Sequence, residues 1–368
     1  MAEATQTKTT IAIDPVTRIE GHLKAEVVVE NGKVVDAKLT GGMYRGFESI
    51  LRGRHPRDAA QIVQRICGVC PTAHATAASI ALEKASGTAV PSNGRATRNL
   101  ILGANYLQSH ILHFYHLAGQ DFIQGPDTAP FMPRYAKPDL RLPPAINAVG
   151  VDQYVEALEV RAVCHEMVAL FGGRMPHVHG ILAGGAAEIP TKEKLVEYAA
   201  RFKKVRKFVE EKYLPVVYLV GSQYKDLGAF GQGYRNALCV GVFPLDDEGK
   251  EFVFKAGAYQ DGKDMPFDVK RVTEDVKFSW FADSTSGKPF TKGENVLEVD
   301  KKGAYSFVKA PLYNGKPMEV GPLARMWVNN KPISPIGQKL FKEYFGLDVK
   351  NFRDMGEDLA FSLLGRHV

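Results

Sequence analysis

The sequence holds only four cysteines in 368 residues, too few and too scattered for the disulfide framework of a small secreted domain. It has no uninterrupted apolar run of the roughly 18 residues that a membrane-spanning helix needs, so no segment is expected to cross a bilayer. The first ten residues, MAEATQTKTT, lack the basic start and apolar stretch of a secretory signal. If the protein works outside the cytoplasm, another chain must carry it there. An excess of one charge is missing too. The 47 Lys and Arg against 41 Asp and Glu leave a net +6, and the basic residues are interleaved with acids rather than gathered into a stripe that would track phosphates. Nucleic acid is not the expected partner. There is no internal repeat and no low-complexity segment.

What is present suits a soluble globular protein: 45% hydrophobic and 24% charged residues, enough to bury a substantial core without staples. At roughly 150 residues per domain the length allows two domains or one large one. Runs at 10–14, 23–30 and 34–39, the last two joined by Asn31-Gly32, predict a small antiparallel N-terminal sheet. From Pro56 the period changes. Ala59, Ile62, Val63 and Ile66 recur at helical spacing, so a helix should run into Cys67 and stop at Gly68 and Pro71, with Thr72 capping a short helix beyond. Further helices are read over about 96–117, from Val151 to Leu170, and from near Thr191, the last with Leu195, Ala199, Phe202, Val205 and Val209 on one face. Its charged face over 192–212 reads as solvated. Six prolines within 125–144 exclude regular helix there. Residues 238–320, with short runs at 251–255 and 304–308, predict a peripheral β insertion, and the remaining residues return to helical character. The expected fold class is α+β and mainly helical: a long-helix bundle with an N-terminal antiparallel β-sheet and a peripheral β insertion.

The sharpest chemical feature is Arg65-Ile66-Cys67-Gly68-Val69-Cys70-Pro71-Thr72-Ala73-His74. Two thiols three positions apart can converge on one metal, because the turn between them brings both sulfurs to one side. Three readings stand: half of a zinc site, a thiol–disulfide couple, or part of a soft-ligand transition-metal site. A complete zinc site needs a second close pair, which Cys164 and Cys239 do not make. A thioredoxin-like couple expects a strand before the motif, where a helix is read. Cys164 and Cys239 read as core thiols. His110, His113 and His116 spread over about a third of a helix circumference, and read as half-buried histidines bonding neighbouring helices rather than as a ligand triad.

Other segments are weak singly and specific together: DPVTRIEGH at 14–22, RGFE at 45–48, RICGVCPTAH at 65–74, NGRATRNLILGANYLQSHILHFYH at 93–116, FGGRMPH at 171–177 and LGRH at 364–367. In this order they closely resemble the large subunit of the nickel-iron hydrogenases, over nearly the whole chain. The resemblance implies reversible heterolytic cleavage of H2 into protons and electrons. It implies that Cys67 is a terminal thiolate on nickel and that Cys70 bridges nickel to an iron carrying CO and CN ligands. Glu20 would accept the proton, Glu48 would ligate a magnesium ion, and His74 would hydrogen-bond a metal-bound sulfur. Arg65 and His177 match positions near the electron exit. The chain has no cysteines for an iron–sulfur cluster, so the electrons must pass to a separate small subunit that carries the clusters. In the family that subunit often bears the export signal. The expected location is therefore periplasmic, or membrane-associated through the small subunit, with the cytoplasm as the alternative.

Two departures stand out. Ser109 replaces an aspartate found in many members, and resembles the branch in which selenocysteine replaces one nickel-bound cysteine. The second DPCxxC-like pair with which the family ends is not in the sequence. The chain thus reads as one hydrogenase large-subunit-like domain over 1–368, incomplete at its C-terminus: 1–54 sheet and loop, 55–237 helical bundle with the CxxC pair, 238–320 β and loop insertion, 321–368 helical end. Two function classes follow. The chain is either the N-terminal part of a catalytic large subunit, or a non-catalytic fragment or interaction and assembly module that keeps the small-subunit surface. A zinc or thiol-redox protein is the third.

Overall fold

The computed structural model describes residues 8–134 and 138–367. Most of the N-terminal segment read for a signal, three residues of the proline-rich stretch and the terminal Val368 lie outside the described residues. The architecture mixes helices with small antiparallel sheets, and the chain forms two compact units, residues 1–52 with 268–318 and residues 53–267 with 319–368.

In the first unit β1 (Lys8–Ile13), β2 (Leu23–Glu30) and β3 (Lys33–Gly41) pair antiparallel in that order. All three lie within three residues of their expected bounds. Asn31 and Gly32 take φ of 51° and 75°, the left-handed pair that a type I′ hairpin turn demands, and a bulge at Val28/Val29 shifts the register. A second sheet joins Val272–Asp275, Ala310–Tyr313 and Lys316–Pro317. The run expected at 304–308 is not a strand. Its Ser306 Oγ instead accepts from Gly41 N at 3.1 Å, and Phe307 N donates to Gly41 O at 3.0 Å, so it closes the end of β3.

The second unit contains α1 (Pro71–Ser86), α2 (Ser92–Leu112), α3 (Pro144–Gly172), α4 (Lys192–Phe208), α5 (Leu214–Gln223) and α6 (Pro322–Asn329). Its main core joins Ile101, Ala104 and Ile111 of α2, Val160, Cys164, Met167 and Phe171 of α3, and Val205 and Phe208 of α4. Cys164 and Cys239 are both buried free thiols. A second core gathers around Trp327, Phe341 and Phe361. Among the described residues no helix is long and apolar enough to cross a membrane.

Several elements differ from the sequence reading for identifiable reasons. The helix expected from Val151 begins at Pro144, which occupies the first helical turn, where its missing N–H costs nothing. The helix expected from Pro56 is broken into a 3-10 turn, one α turn over Ala59–Ile62 and a second 3-10 turn over Val63–Ile66. α4 starts near Thr191 as expected, and Thr191 is its N-cap, with Oγ1 accepting from Lys194 N at 3.4 Å. Thr72 does not cap α1; Cys70 is the N-cap and Thr72 is buried in the first turn. The helix α5 was not foreseen, because its apolar run LPVVYLV has no amphipathic period to distinguish it from a buried strand.

One buried polar network ties α1 to α2. Glu83 and Arg98 form an ion pair whose side chains are 9% and 8% exposed. Glu83 Oε1 also accepts from Gly184 N at 2.8 Å, while Arg98 donates to the carbonyls of Gly185 at 3.2 Å and Leu182 at 2.8 Å. The short hairpin Ile181–Leu182 and Gly185–Ala186 is thereby fastened to both helices. It comes so close that a Cβ on Gly185 would meet Gly94 Cα at 2.8 Å.

Candidate metal centre

The CxxC pair sits where the 3-10 turn Val63–Ile66 hands over to α1. Cys67 ends the turn in extended backbone at φ −144°, ψ 131°, its N–H donating to Gln64 O at 3.3 Å. The chain then folds back so that Cys70 N–H donates to Cys67 Sγ at 3.2 Å. Both thiols are half-buried. One turn into α1, His74 Nε2 lies 3.7 Å from Cys70 Sγ, and burial pushes the His74 imidazole below its usual pKa. Two soft sulfur donors on one side of a tight turn, with a backbone N–H on one and an imidazole beside the other, suit a soft transition metal.

Cys70 faces a cavity of about 760 Å³, also lined by Ser109, His110, His113, Arg325 and His367. His113 and His367 stack at 5.5 Å between ring centroids. Burial, then Arg325 and His113, push His110 down to about 4; burial, then His113 and Arg366, do the same to His367. The cavity wall is therefore lined with neutral imidazoles near neutral pH. Arg366 grips Glu319 through Nε and Nη2, both at 2.6 Å. Among the described residues, His116 is the one of the three helical histidines that bonds a neighbouring helix, with Nε2 3.2 Å from Tyr154 O. No three His, Cys, Asp or Glu among the described residues converge on a metal position, so this stretch of chain presents two sulfurs as a partial donor set that fits nickel and iron.

The remaining sequence-predicted residues fall into two groups. Arg65 and His177 come together in the second unit: His177 is held below its usual pKa by burial, Arg65 and Arg174, and Arg174 Nε donates to His177 O at 2.8 Å. His177 has φ 60°, a left-handed conformation uncommon for a non-glycine residue and frequent at functional sites. Glu20 and Glu48 belong to the first unit. Glu20 lies in the loop between β1 and β2, where Arg18 has φ 56° and Gly21 φ 89°; Glu48 is in the first turn of the short helix Phe47–Leu51. Both carboxylates are exposed.

Sequence reasoning missed the residues that support the turn. Gln108, fully buried on α2, donates from Nε2 to Val69 O at 2.9 Å. Gln64, also fully buried, donates to Ala60 O and Val178 O, both at 2.9 Å. The available signal was an amide inside an apolar stripe, Gln108 following Leu107 and preceding Ile111. A polar side chain in that position has to find a partner.

Comparison with known proteins identifies the family. The family described as nickel-dependent hydrogenase matches residues 45–129 and 120–368, and a HoxL-like family matches residues 10–40. The periplasmic NiFeSe hydrogenase large subunit of Desulfomicrobium baculatum is 60% identical over 370 residues, covering 98% of this chain and 72% of that protein. The hydrogenase-2 large chain of Escherichia coli strain K12 is 33% identical over 383 residues, covering 86% of this chain and 67% of that protein. The Ni-Fe-Se hydrogenase of D. vulgaris Hildenborough in its as-isolated oxidised state superposes with a TM-score of 0.96 at 70% identity, over 98% of this chain and 75% of that one. With family matches over most of its length and such identity to solved and curated relatives, this chain belongs to the nickel-dependent hydrogenase large subunits.

Proposed function

We propose that the chain is the thiolate-bearing N-terminal part of a catalytic NiFeSe-branch large subunit and acts on H2. The observation that carries this reading is the pair Cys67 and Cys70, set in one tight turn at the edge of a cavity and supported by a backbone N–H and by His74. Cys67 and Cys70 would hold the nickel-iron centre through their sulfurs, with CO and CN carried on the iron. When bound, that pair of metals supplies heterolytic cleavage of H2.

The chain's own residues then have defined tasks. His74 Nε2, 3.7 Å from Cys70 Sγ, hydrogen-bonds that sulfur and limits its charge. Glu20 would accept the proton; the relay reading expects a buried carboxyl beside the metal thiolates, and the Glu20 carboxylate is exposed. The Glu48 carboxylate would hold magnesium, a hard cation that prefers oxygen. Cys164 and Cys239 are single buried thiols that cannot anchor a cluster, so the electrons leave to a small subunit carrying iron–sulfur clusters. That subunit takes this chain to the periplasm.

The test is elemental analysis and infrared spectroscopy of the protein purified with its small subunit. Nickel and iron near stoichiometric amounts, with bands from bound CO and CN, are expected, and Cys67→Ser should lose the nickel. Glu20→Gln should keep the metals and lose hydrogen–deuterium exchange. A preparation holding only zinc, or no metal, and consuming no H2 would leave the non-catalytic assembly role instead.

A further inference from the structure

Gln108 does more than fill a buried position. Its Nε2 donates to Val69 O at 2.9 Å and to Asn105 Oδ1 at 3.2 Å, and its Oε1 accepts from Arg161 Nε at 3.1 Å. The amide can face only this way. Turned over, it would set oxygen against the Val69 carbonyl and an N–H against the Arg161 N–H. Val69 O also belongs to the same rigid peptide plane as the N–H of Cys70, the group that donates to Cys67 Sγ at 3.2 Å. The contacts therefore line up head to tail: guanidinium of α3, amide of α2, Val69–Cys70 peptide, sulfur of Cys67. Aligned hydrogen bonds polarise one another, and a charged donor at the head strengthens the whole chain. On the other side of the turn, a Cβ on Gly68 would meet nothing within 4 Å.

We propose that Gln108, oriented by Arg161, is a positioning residue for the CxxC turn: by holding the Val69 carbonyl it aims the Cys70 N–H at Cys67 Sγ and keeps that sulfur directed as a metal ligand. The proposal rests on the reading of Cys67 and Cys70 as metal ligands. The hydrogen bonds of Gln108 go to Val69, Asn105 and Arg161, and it acts on the turn through the Val69–Cys70 peptide.

The experiment is a cadmium(II) titration of the full chain under reducing conditions, followed by the ultraviolet thiolate-to-metal absorbance and repeated on variants, with melting temperatures measured alongside. Wild type should take up one cadmium on both thiolates. Gln108→Met removes the donor to Val69. Gln108→Glu keeps an acceptor for Arg161 but puts oxygen against the carbonyl. Both should weaken cadmium binding roughly 10–100-fold, the usual effect of losing a group that orients a metal ligand. Arg161→Lys, which retains a donor, should lose less than Arg161→Met. A purely structural Gln108 would lower the melting temperature but leave the affinity of the folded protein unchanged, and Gln108→Glu would then behave as wild type through its pairing with Arg161. That result overturns the proposal. If Gln108→Met does not fold, Arg161→Met decides, since it leaves Gln108 in place with its orientation unlocked; wild-type affinity in that variant also overturns the proposal. A wild-type chain that fails to bind cadmium through both thiolates would instead defeat the ligand reading itself.

Discussion

Glu83→Gln tests whether the buried pair between α1 and α2 holds the site's scaffold together. The substitution changes almost no volume, yet it leaves the Arg98 guanidinium, 8% exposed, without its counter-charge. Arg98 keeps its bonds to the Gly185 and Leu182 carbonyls. These are neutral acceptors, and they do not cancel a buried charge. Breaking a buried ion pair from one side costs about 3–5 kcal/mol. The upper half of that range is expected here, because Gly184 N–H also loses a carboxylate acceptor. The two tryptophans make the assay clean, as Trp280 lies in the first unit and Trp327 in the second. In a Trp280→Phe background Trp327 fluorescence reports the unit that contains the pair. With an m-value of about 3 kcal/mol/M, this loss moves the urea midpoint down by roughly 1.3–1.7 M. The double variant Glu83→Gln/Arg98→Met removes both charges and should be less damaged than the sum of the single variants by about 1–3 kcal/mol. A midpoint shift below about 0.3 M, or strict additivity in the double variant, would refute the claim that an uncompensated charge is the cost.

Two further outcomes follow from the titrating groups. His110 and His367 are both held at about 4 in the folded protein against 6.5 ordinarily, so their neutral forms are the native ones: the stability they contribute is full above about pH 6.5 and is lost as the pH falls toward about 4. Urea midpoints measured across that window should fall steeply in wild type and less steeply in His110→Gln/His367→Gln; equal slopes would sink the assignment. Burial pushes the Cys164 thiol up to about 12, so alkylation near pH 8 followed by peptide mass mapping should label the half-buried Cys67 and Cys70 first and leave Cys164 unmodified until the protein is denatured.

The parts of this molecule that could be read from sequence are those whose cause is local. The Asn31-Gly32 turn, the strands β1 to β3 and the apolar stripe of α2 each depend on residues a few positions apart, and each appears where it was expected; on α4 Val205 is buried as expected, but Leu195 and Phe202 of the same expected face are exposed and Phe208 is buried in their stead. The motif cysteines could also be found, because two thiols with a turn-forming glycine between them carry their chemistry within four residues. Where local signals fail, a second local rule competes with the one that holds. The prolines at 143 and 144 read as the end of an irregular stretch, whereas Pro144 begins a 29-residue helix.

The support of the site was illegible for a different reason. Glu83 meets Arg98 across two helices and Gln108 meets Val69 across 39 residues, and the cavity beside Cys70 is walled by residues from α2 and from the last fifty positions together. No periodicity encodes such pairings. What the sequence does show at these positions is a conflict: a glutamine inside an apolar stripe, an arginine at a buried helix position. Each such residue costs several kcal/mol if it is buried without a partner, so its survival in a core requires that a partner exist, even though its identity needs the fold. Buried amides and charges that break an apolar pattern are therefore the places to look for the residues that aim a metal site, as distinct from those that bind the metal. Gln108 shows why. The ligand motif names the two sulfurs, but the direction of one of them depends on a peptide plane held by a side chain from another helix.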